Sequence, residues 1–402
     1  MKEGWTYKKL GELATFARGL TYSKNDEVER SNNIVLRSNN IDLIAGKLDF
    51  SELKYLKADF IIPEDKRLRK GCLFICMSNG SKSHLGKVAY VDKDYGFAFG
   101  GFMGQIIPNN DINGLYLHYA LSTPHYKEYI KSLSEGANIN NLKYKDLAEF
   151  VIKYPSLSEQ QAIVDYLDSA FAKIDALKAN AEKALDEAKA LFQAFLKEML
   201  EPKEGWEYKK LKDVATFTRG LTYSKNDEVE VSNNIVLRSN NVDLSTGKLN
   251  FDELKYLRPE FSVPEEKRVK KGSLLMCMSN GSKIHLGKVA LINEDYPYAF
   301  GGFMALVTPN EKLNPQFFHY SLSSPEYKDF IKQLSAGANI NNIKIKELEL
   351  FTIPVPPLSE QQRIVATLDS LKSKVDRLHS NFEKISQECD ALKQAILRQV
   401  FE

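Results

Sequence analysis

Two segments of the chain show a heptad pattern of apolar residues. Apolar positions recur alternately every four and three residues from 163 to 195 and again from 364 to 396, which is the period of a left-handed coiled coil. In the first segment these positions are Ile163, Leu167, Ala170, Ile174, Leu177, Ala181, Ala184, Ala188, Leu191 and Phe195. In the second they are Ile364, Leu368, Leu371, Val375, Leu378, Phe382, Ile385, Cys389, Leu392 and Ile396. We predict two long helices, at 157–202 and 358–402.

Each predicted helix opens with a capping pattern. Ser158 precedes Gln161 by three residues, and Ser359 precedes Gln362 in the same way, so these serines are the predicted N-caps. At 1.5 Å per residue each helix is about 60 Å long. The bulky seam of the second helix suits the alanine-rich seam of the first, which favours antiparallel pairing within one chain. Packing of each helix on its own globular domain, and an intermolecular coiled coil, are the alternatives.

The segments before the helices, 1–156 and 203–357, predict globular α+β domains. Short β-type runs such as 34–36, 72–77 and 86–91 are broken by Asn-Gly and Gly-Gly turns. Helical patterns follow at 114–133 and 315–334. Phe and Tyr are plentiful and lie mostly among apolar neighbours, so we interpret most of them as core residues.

The chain is one unit written twice. Trp5 corresponds to Trp206, 201 residues later, and the same offset carries 19–29 onto 220–230 and 76–82 onto 277–283. Two repeats are too few for a solenoid. A tandem duplication with pseudo-two-fold symmetry is therefore expected, and any site in one copy should be present in the other.

Composition narrows the possible classes of protein. The chain has 402 residues, 43% of them hydrophobic and 27% charged, with a net charge of +2. No apolar run of about 18 residues and no leader sequence is visible, which predicts a cytosolic protein without membrane contact. The four cysteines have no histidine at ligand spacing, so buried reduced thiols are expected and no metal site. The mild charge requires that any DNA-binding basic groups be local or be supplied by partners.

The order of several motifs, repeated twice, resembles the specificity subunits of Type I restriction-modification systems. These motifs are Trp-x-Tyr-Lys-Lys-Leu at 5–10 and 206–211, Lys-Gly at 70–71 and 271–272, YPSLSEQQAIVDYLD at 154–168 and PVPPLSEQQRIVATLD at 354–369. The resemblance covers the whole chain. It implies target-recognition domains at 1–156 and 203–357 and spacer helices at 157–202 and 358–402, paired as an antiparallel coiled coil.

The resemblance also implies a non-catalytic subunit that reads double-stranded DNA. Two modification subunits, which use S-adenosylmethionine, would dock on the helices, and restriction subunits would use ATP and Mg²⁺; no cofactor is expected in this chain. The residues agree with this interpretation. The segment Asn314-Pro315-Gln316-Phe317 lacks the second proline of an adenine methyltransferase motif, and the run from Gly80 to Val88 has neither the length nor the Ser or Thr of a Walker loop.

Three polar loops carry side chains suited to bases and phosphates. They occupy 18–26, 37–40 and 78–87, and they recur at 219–227, 238–241 and 279–288. In the first copy the candidates are Arg18, Tyr22, Lys24, Asn25, Arg37, Ser38, Asn39, Asn40, Asn79, Ser81, Lys82, His84 and Lys87. In the second copy they are Arg219, Tyr223, Lys225, Asn226, Arg238, Ser239, Asn240, Asn241, Asn280, Ser282, Lys283, His285 and Lys288.

Each loop also has an ordinary structural interpretation. The first can be a Ser-Asn-Asp turn, Asn39 and Asn40 can serve only turn hydrogen bonds, and Asn79-Gly80 can be a hairpin turn. The loop at 37–40 is the favoured reading loop because it follows a β-branched strand and presents an arginine and two amides. A further polar segment, 136–141, lies near the helix, where a structural joint is the alternative. His118 and His319, like His84 and His285, have no carboxylate partner visible in the sequence, so packing or surface roles are the default interpretation for these histidines.

Near-identical loops predict that both copies recognise the same bases. If a two-fold axis relates the copies, the target is an interrupted inverted repeat. Ser83 against Ile284 is the one in-loop difference that would break this symmetry. The rival hypotheses are a catalytic methyltransferase or nuclease, a coiled-coil protein scaffold and a sequence-independent DNA adaptor.

Overall fold

The chain divides into two compact units, each containing one copy of the repeat's globular part. The computed structural model describes residues 5–42, 46–80, 84–135, 141–243, 246–336 and 342–401. The first unit comprises Met1–Ala181 with Glu383–Glu402, and the second comprises Glu182–Phe382. Each unit therefore contains one globular domain and part of each of the two long helices.

The first repeat has ten strands and five helices among its described residues. They are β1 (Thr6–Lys9), α1 (Leu10–Leu13), β2 (Ala14–Arg18), β3 (Glu27–Val28), β4 (Asn33–Leu36), β5 (Lys54–Leu56), β6 (Leu73–Cys76), β7 (Val88–Tyr90), β8 (Ala98–Phe99), β9 (Met103–Pro108), α2 (Gly114–Ala120), α3 (Pro124–Glu135), α4 (Tyr144–Ala148), β10 (Val151–Tyr154) and α5 (Leu157–Leu200).

The second repeat gives the same elements in the same order. They are β11 (Glu207–Lys210), α6 (Leu211–Val214), β12 (Ala215–Arg219), β13 (Glu228–Val229), β14 (Asn234–Leu237), β15 (Lys255–Leu257), β16 (Leu274–Cys277), β17 (Val289–Leu291), β18 (Ala299–Phe300), β19 (Met304–Pro309), α7 (Pro315–Ser321), α8 (Pro325–Ala336), α9 (Ile345–Leu348), β20 (Thr352–Val355) and α10 (Leu358–Phe401).

Three sheets build each globular domain, which confirms the α+β class predicted from the sequence. In the first repeat the strand orders are β1-β10, β2-β9-β6-β7 and β3-β5-β4-β8. Every pairing is antiparallel except β4 with β8, which is parallel. All four residues of β6 are buried, as expected for a strand covered on both faces. The second repeat has the same three strand orders.

The helical pattern at 114–133 forms two helices rather than one. Helix α2 ends at Ala120, and α3 begins at Pro124. The Oγ1 atom of Thr123 accepts a hydrogen bond from the backbone N–H of Tyr126 at 3.2 Å, so it caps the new helix. Proline at the first helical position cannot continue the preceding helix but suits the start of a new one.

The predicted N-cap of the first long helix is wrong by two residues. Ser156, not Ser158, caps α5: its backbone N–H donates to Oε2 of Glu159 at 3.1 Å, while the backbone N–H of Glu159 donates to the Ser156 Oγ at 3.4 Å. This is a reciprocal capping box. In the second repeat Pro357 replaces the serine, and its carbonyl accepts from the backbone N–H of Glu360 at 2.9 Å.

Alternate positions of the predicted heptad seam are also displaced. Leu167 and Ile174 are buried as predicted, whereas Leu177 and Leu191 are 55% and 70% exposed. Burial falls instead one residue further on at Leu185 and Phe192, whereas Phe171 is half-buried, as is Ala170 of the predicted seam. Leu185 and Phe192 replace Ala184 and Leu191 of that seam, so the observed stripe buries more apolar area. On α10, Leu378 and Leu392 are likewise exposed.

The two long helices pair antiparallel within each unit. In the first unit the core includes Val164 and Leu167 of α5 with Leu397 and Phe401 of α10, and further along α5 the Lys178 Nζ lies 3.4 Å from Asp390. In the second unit one core includes Leu196 and Leu200 of α5 with Ile364 and Leu368 of α10. In the first unit, the positions on α10 that lie beside α5 therefore decrease in number as the positions on α5 increase, which defines antiparallel pairing.

The cysteine and hydropathy predictions can be compared directly with the structure. All four cysteine thiols are free and buried, as the sequence predicted. Burial raises the pKa of Cys76 to about 11, so its thiol is unreactive. Across the described ranges, no helix combines the length and apolar character needed to cross a membrane.

Candidate nucleic-acid interface

A glycine turn between β8 and β9 is the point at which the first candidate loop meets the sheet. The backbone N–H of Leu20 donates to the carbonyl of Phe99 at 2.7 Å. A Cβ atom on Gly19 would lie only 2.1 Å from the carbonyl oxygen of Gly100. Glycine is therefore required at position 19, because any side chain would collide with backbone.

The second and third candidate loops are hydrogen-bonded, at or next to their first residues, to the same turn. The N–H of Gly100 donates to the carbonyl of Leu36, the residue before Arg37, at 2.9 Å. The carbonyl of Phe102 accepts from the N–H groups of Met77 and Ser78, both at 3.0 Å. The turn 100–102 therefore brings together three loops that are distant in sequence.

The second repeat assembles its loops by the same contacts. A Cβ on Gly220 would lie 2.0 Å from the carbonyl oxygen of Gly301. The N–H of Gly301 donates to the carbonyl of Leu237 at 2.9 Å, and the carbonyl of Phe303 accepts from the N–H of Met278 at 2.8 Å. We call each set of three loops, 18–26, 37–40 and 78–87 or 219–227, 238–241 and 279–288, a three-loop surface.

The first loop is a capped turn that displays its tip. The backbone N–H and the Oγ of Ser23 donate to Oδ2 of Asp26 at 2.8 and 2.7 Å, and these bonds lower the pKa of the Asp26 carboxyl. Lys24 and Asn25 are consequently exposed. The half-buried Tyr22 has its pKa raised, mainly by burial. The turn interpretation is correct, and it still leaves the two exposed side chains available to a ligand.

Arg37 begins the second loop with an unsatisfied donor. Its Nε is buried and has no hydrogen-bond partner among the described residues, and the same holds for Arg238. A buried N–H without a partner is costly and rare in folded proteins. Because this atom is also shielded from solvent, a ligand acceptor could remove that cost only after the side chain had turned outward. Asn39 beside it is exposed, and its Nδ2 donates to Oε2 of Glu52 at 3.0 Å.

Asn40 has the structural role that the turn interpretation described. Its Oδ1 accepts from the N–H of Arg37, and its Nδ2 donates to the carbonyls of Asp49 and Glu52, all at 2.8 Å. Asn40 and Asn241 are both 0% exposed. Their amides are used within the loop, so we leave both residues out of the proposed DNA contacts.

The third loop is attached to the second by one side-chain bond in each repeat. Nδ2 of Asn79 donates to Oγ of Ser38 at 2.8 Å, and Nδ2 of Asn280 donates to Oγ of Ser239 at 2.8 Å. These amides help to position the two loops together. Three of the loop positions named above, Ser81, Lys82 and Ser83, lie outside the described residues, and so does the segment 136–140.

The basic residues of the third loop differ in their surroundings. Lys283 is exposed, and its Nζ donates to the carbonyl of Ser335 at 3.2 Å. The Nζ of Lys288 donates instead to the carbonyl of Val242 at 2.7 Å. In the first repeat, burial lowers the pKa of Lys87 to about 8. Lys87 and Lys288 thus serve their own domains more than an exposed surface.

The histidine candidates differ from the lysines. The Nδ1 atoms of His84 and His285 are buried and have no hydrogen-bond partner among the described residues. Burial is also the main reason that the pKa of each imidazole is lowered. Each ring is therefore neutral near pH 7, and its Nδ1 atom is shielded from solvent.

Acidic residues lie close to both three-loop surfaces. Glu228 pairs with Lys255 at 2.5 Å, and Glu27 pairs with Lys54 at the equivalent position. Together with Glu52 these carboxylates keep the surface mixed in charge. Such a surface suits base recognition better than a strong phosphate grip, because affinity for phosphates depends on an excess of Lys and Arg.

Phe102 and Phe303 are features that the sequence interpretation missed. Aromatic residues were interpreted as core, yet these two are 74% and 71% exposed. The signal that could have found them is the Gly-Gly-Phe order in both repeats at 100–102 and 301–303. Two glycines make room for a backbone approach, so the following side chain lies at an extreme of the surface.

A duplicated α+β domain on long antiparallel helices, with one polar three-loop surface per copy, has the organisation of a two-part recognition protein. Comparison with known proteins identifies the family. The Type I restriction modification DNA specificity domain matches residues 2–186 and again 203–386. The chain therefore belongs to this family, and it is a specificity subunit with two tandem recognition domains.

Relatives of this chain come from bacteria and archaea. The chain is 28% identical to the Type I restriction enzyme EcoKI specificity subunit of Escherichia coli, an alignment that covers 100% of this chain and 89% of that protein. It is 25% identical to the MjaVIII specificity subunit of Methanocaldococcus jannaschii, over 96% of this chain and 90% of that protein.

Solved structures share the fold over the whole chain. A chain solved in work on complex assembly and conformational transition of the type I R-M system has a TM-score of 0.73 at 20% identity, covering 99% of this chain and 98% of that one. The HsdS subunit from Thermoanaerobacter tengcongensis has a TM-score of 0.50 at 20% identity, covering 100% and 97%.

Proposed function

We propose that the chain is the non-catalytic reader of its complex and that the two three-loop surfaces bind the same bases in two half-targets. The observation that carries this proposal is the assembly of near-identical polar loops around equivalent turns in both repeats. With the two-fold relation expected from the duplication, the target is an interrupted inverted repeat.

Within each surface, Arg37 and Arg238 are the proposed principal base contacts. A guanidinium can fork onto O6 and N7 of guanine, and each arginine directly follows a residue whose carbonyl is bonded to the turn of its three-loop surface. Exposed Lys24, Asn25 and Asn39 supply further contacts, as do their equivalents in the second repeat. The remaining exposed candidates among the described residues, together with the half-buried Tyr22 and Tyr223, are proposed to contact phosphates; the exposed ones are Arg18, Arg219, Ser282 and Lys283.

The catalytic partners are part of the same proposal. Two modification subunits dock on α5 and α10 and methylate adenine with S-adenosylmethionine, and restriction subunits supply ATP- and Mg²⁺-dependent activity. Exposed leucines on both helices, at 177, 191, 378 and 392, support a protein-covered helix face. Because such a complex acts on cellular DNA, we propose a cytoplasmic location.

Substitution of Arg37 by Ala tests this function. In the complex with modification subunits, R37A should weaken binding to the target by roughly 5- to 150-fold, because one bidentate contact contributes about 1–3 kcal/mol. R238A should give an equal loss. Arg30 is the matched control, since it is exposed and is Val231 in the other repeat, and R30A should retain target preference.

The pattern of losses separates the alternatives. Equal binding of target and non-target DNA by the wild-type complex would identify a sequence-independent adaptor. Absence of any DNA binding with intact assembly would identify a scaffold. Methylation by the purified chain alone would contradict the non-catalytic assignment.

A further inference from the structure

Phe102 and Phe303 are the most exposed aromatic side chains among the described residues. Their exposed fractions are 74% and 71%, whereas the next aromatic residue, Tyr7, is 56% exposed. Single exposed apolar residues are common and need no explanation. These two, however, occupy equivalent positions in the turn that assembles each three-loop surface.

The backbone beneath each ring is firmly held. The Phe102 carbonyl accepts two hydrogen bonds at 3.0 Å, and Met103 N–H closes the turn on the Gly100 carbonyl at 2.8 Å. In the second repeat the Nε of Arg219 lies 3.5 Å from the carbonyl of Gly302. The ring is therefore carried on a fixed base rather than on a loose loop, which keeps the ordering cost on binding small.

The two glycines before each phenylalanine present no side chains, and the atoms nearest to Gly101 include the hydroxyl of Thr21 in the first loop. A phenyl ring in this position gains free energy only by leaving water, which contributes about 1.5–3 kcal/mol when burial is complete. A ring that projects from the surface by most of its area can reach between neighbouring base pairs rather than only touch a groove wall.

We infer that Phe102 and Phe303 act as wedges, each inserting at one base step in its half of the DNA target. Apolar side chains that enter base steps unstack them and bend the duplex. Pyrimidine–purine steps are the easiest to open. Each half-target should therefore contain such a step at the site of insertion. This inference rests on the proposed function.

The test uses the complex with its modification subunits and a target duplex carrying 2-aminopurine at successive positions. Wild type should raise the probe's fluorescence at one step in each half-target, because unstacking removes quenching. F102A should abolish the signal in one half and leave the other, and F303A should do the reverse. Each variant should bind the target roughly 10- to 150-fold more weakly, following the burial free energy of one phenylalanine.

Ile61→Ala is the matched control. Ile61 is 87% exposed and apolar in the first repeat, but position 262 in the second repeat is serine, so its apolar character is not repeated. I61A should leave both the fluorescence signal and the affinity unchanged. F102L should retain part of the affinity, because leucine keeps much of the apolar area.

The outcomes distinguish this inference from the function on which it rests. Unchanged fluorescence and affinity in F102A, with R37A still impaired, would overturn the wedge and leave the reading function intact. Loss of modification-subunit assembly in F102A, with an unchanged 2-aminopurine signal, would place the ring against protein and also overturn the wedge. Failure of both R37A and F102A to affect DNA binding would overturn the reading function as well.

Discussion

Asn40 and Asn39 are adjacent amides to which the structure gives opposite roles. Asn40→Ala removes three hydrogen bonds of 2.8 Å from a side chain that is 0% exposed. At about 1 kcal/mol net per bond, the local cost is about 3 kcal/mol. If the loop opens locally, amide exchange in the described ranges 37–42 and 46–56 should accelerate about 100-fold, as hydrogen–deuterium exchange would measure.

Asn39→Ala is the paired comparison. Its side chain is exposed and makes one bond to the exposed Glu52 carboxylate, so its loss should change exchange by less than about threefold. Relative to the stability that each variant loses, N39A should impair discrimination between target and non-target DNA more than N40A does. The loop of N39A should remain protected from exchange. The equivalent loop around Asn241 is an internal reference in both variants. Equal exchange in N40A and N39A would refute the assignment of Asn40 as the loop's structural amide.

Further predictions concern the helix seam, the glycine contact and pH. Leu196→Ala should destabilise the second unit by about 2–5 kcal/mol, because Leu196 is 0% exposed. Leu191→Ala should cost less than about 0.5 kcal/mol. Equal losses of unfolding free energy in chemical denaturation would favour the heptad seam predicted from the sequence. Gly220→Ala should lower the free energy of unfolding by about 3 kcal/mol, because the new Cβ would collide with backbone. Gly281→Ala should be tolerated, because its Cβ would have no neighbouring atom within 4 Å. Similar melting temperatures for the two variants would argue against the close contact at Gly220. Burial lowers the pKa of His118 and of His319 to about 4 from 6.5. The folded state then binds fewer protons than the unfolded state, so stability is full above pH 6.5 and falls as pH drops from 6.5 towards 4; the double substitution to Gln should flatten that part of a denaturation-versus-pH curve, and an unchanged slope would contradict the buried neutral state.

The architecture could be predicted from the sequence because an internal repeat and two heptad patterns each extend over a long part of the chain. The offset between Trp5 and Trp206 defines the duplication, and the heptads define α5 and α10 to within a few residues. Finer detail depended on local competition. Several alanines made two adjacent stripes of α5 similar in pattern, and tertiary packing buries the stripe that contains Leu185 and Phe192.

The candidate loops were found by residue type, but their internal roles were not. Asn40 differs from Asn39 only in which carbonyls the fold places beside it, and Asp49 and Glu52 are nine and twelve residues away. Phe102 was missed because an aromatic after two glycines resembles a core strand until the turn is seen. Exposure is a property of tertiary structure, so neither assignment could come from composition or spacing alone.

Methylated-adenine sequencing tests the central claim most directly. A methylation-free host would express this chain with its modification subunit, and the same host without this chain would be the reference. We predict methylation that depends on this chain and is confined to a gapped motif whose two halves are the same sequence in inverted orientation. An unchanged methylome, or methylation without sequence preference, would contradict a reader with two equivalent recognition surfaces.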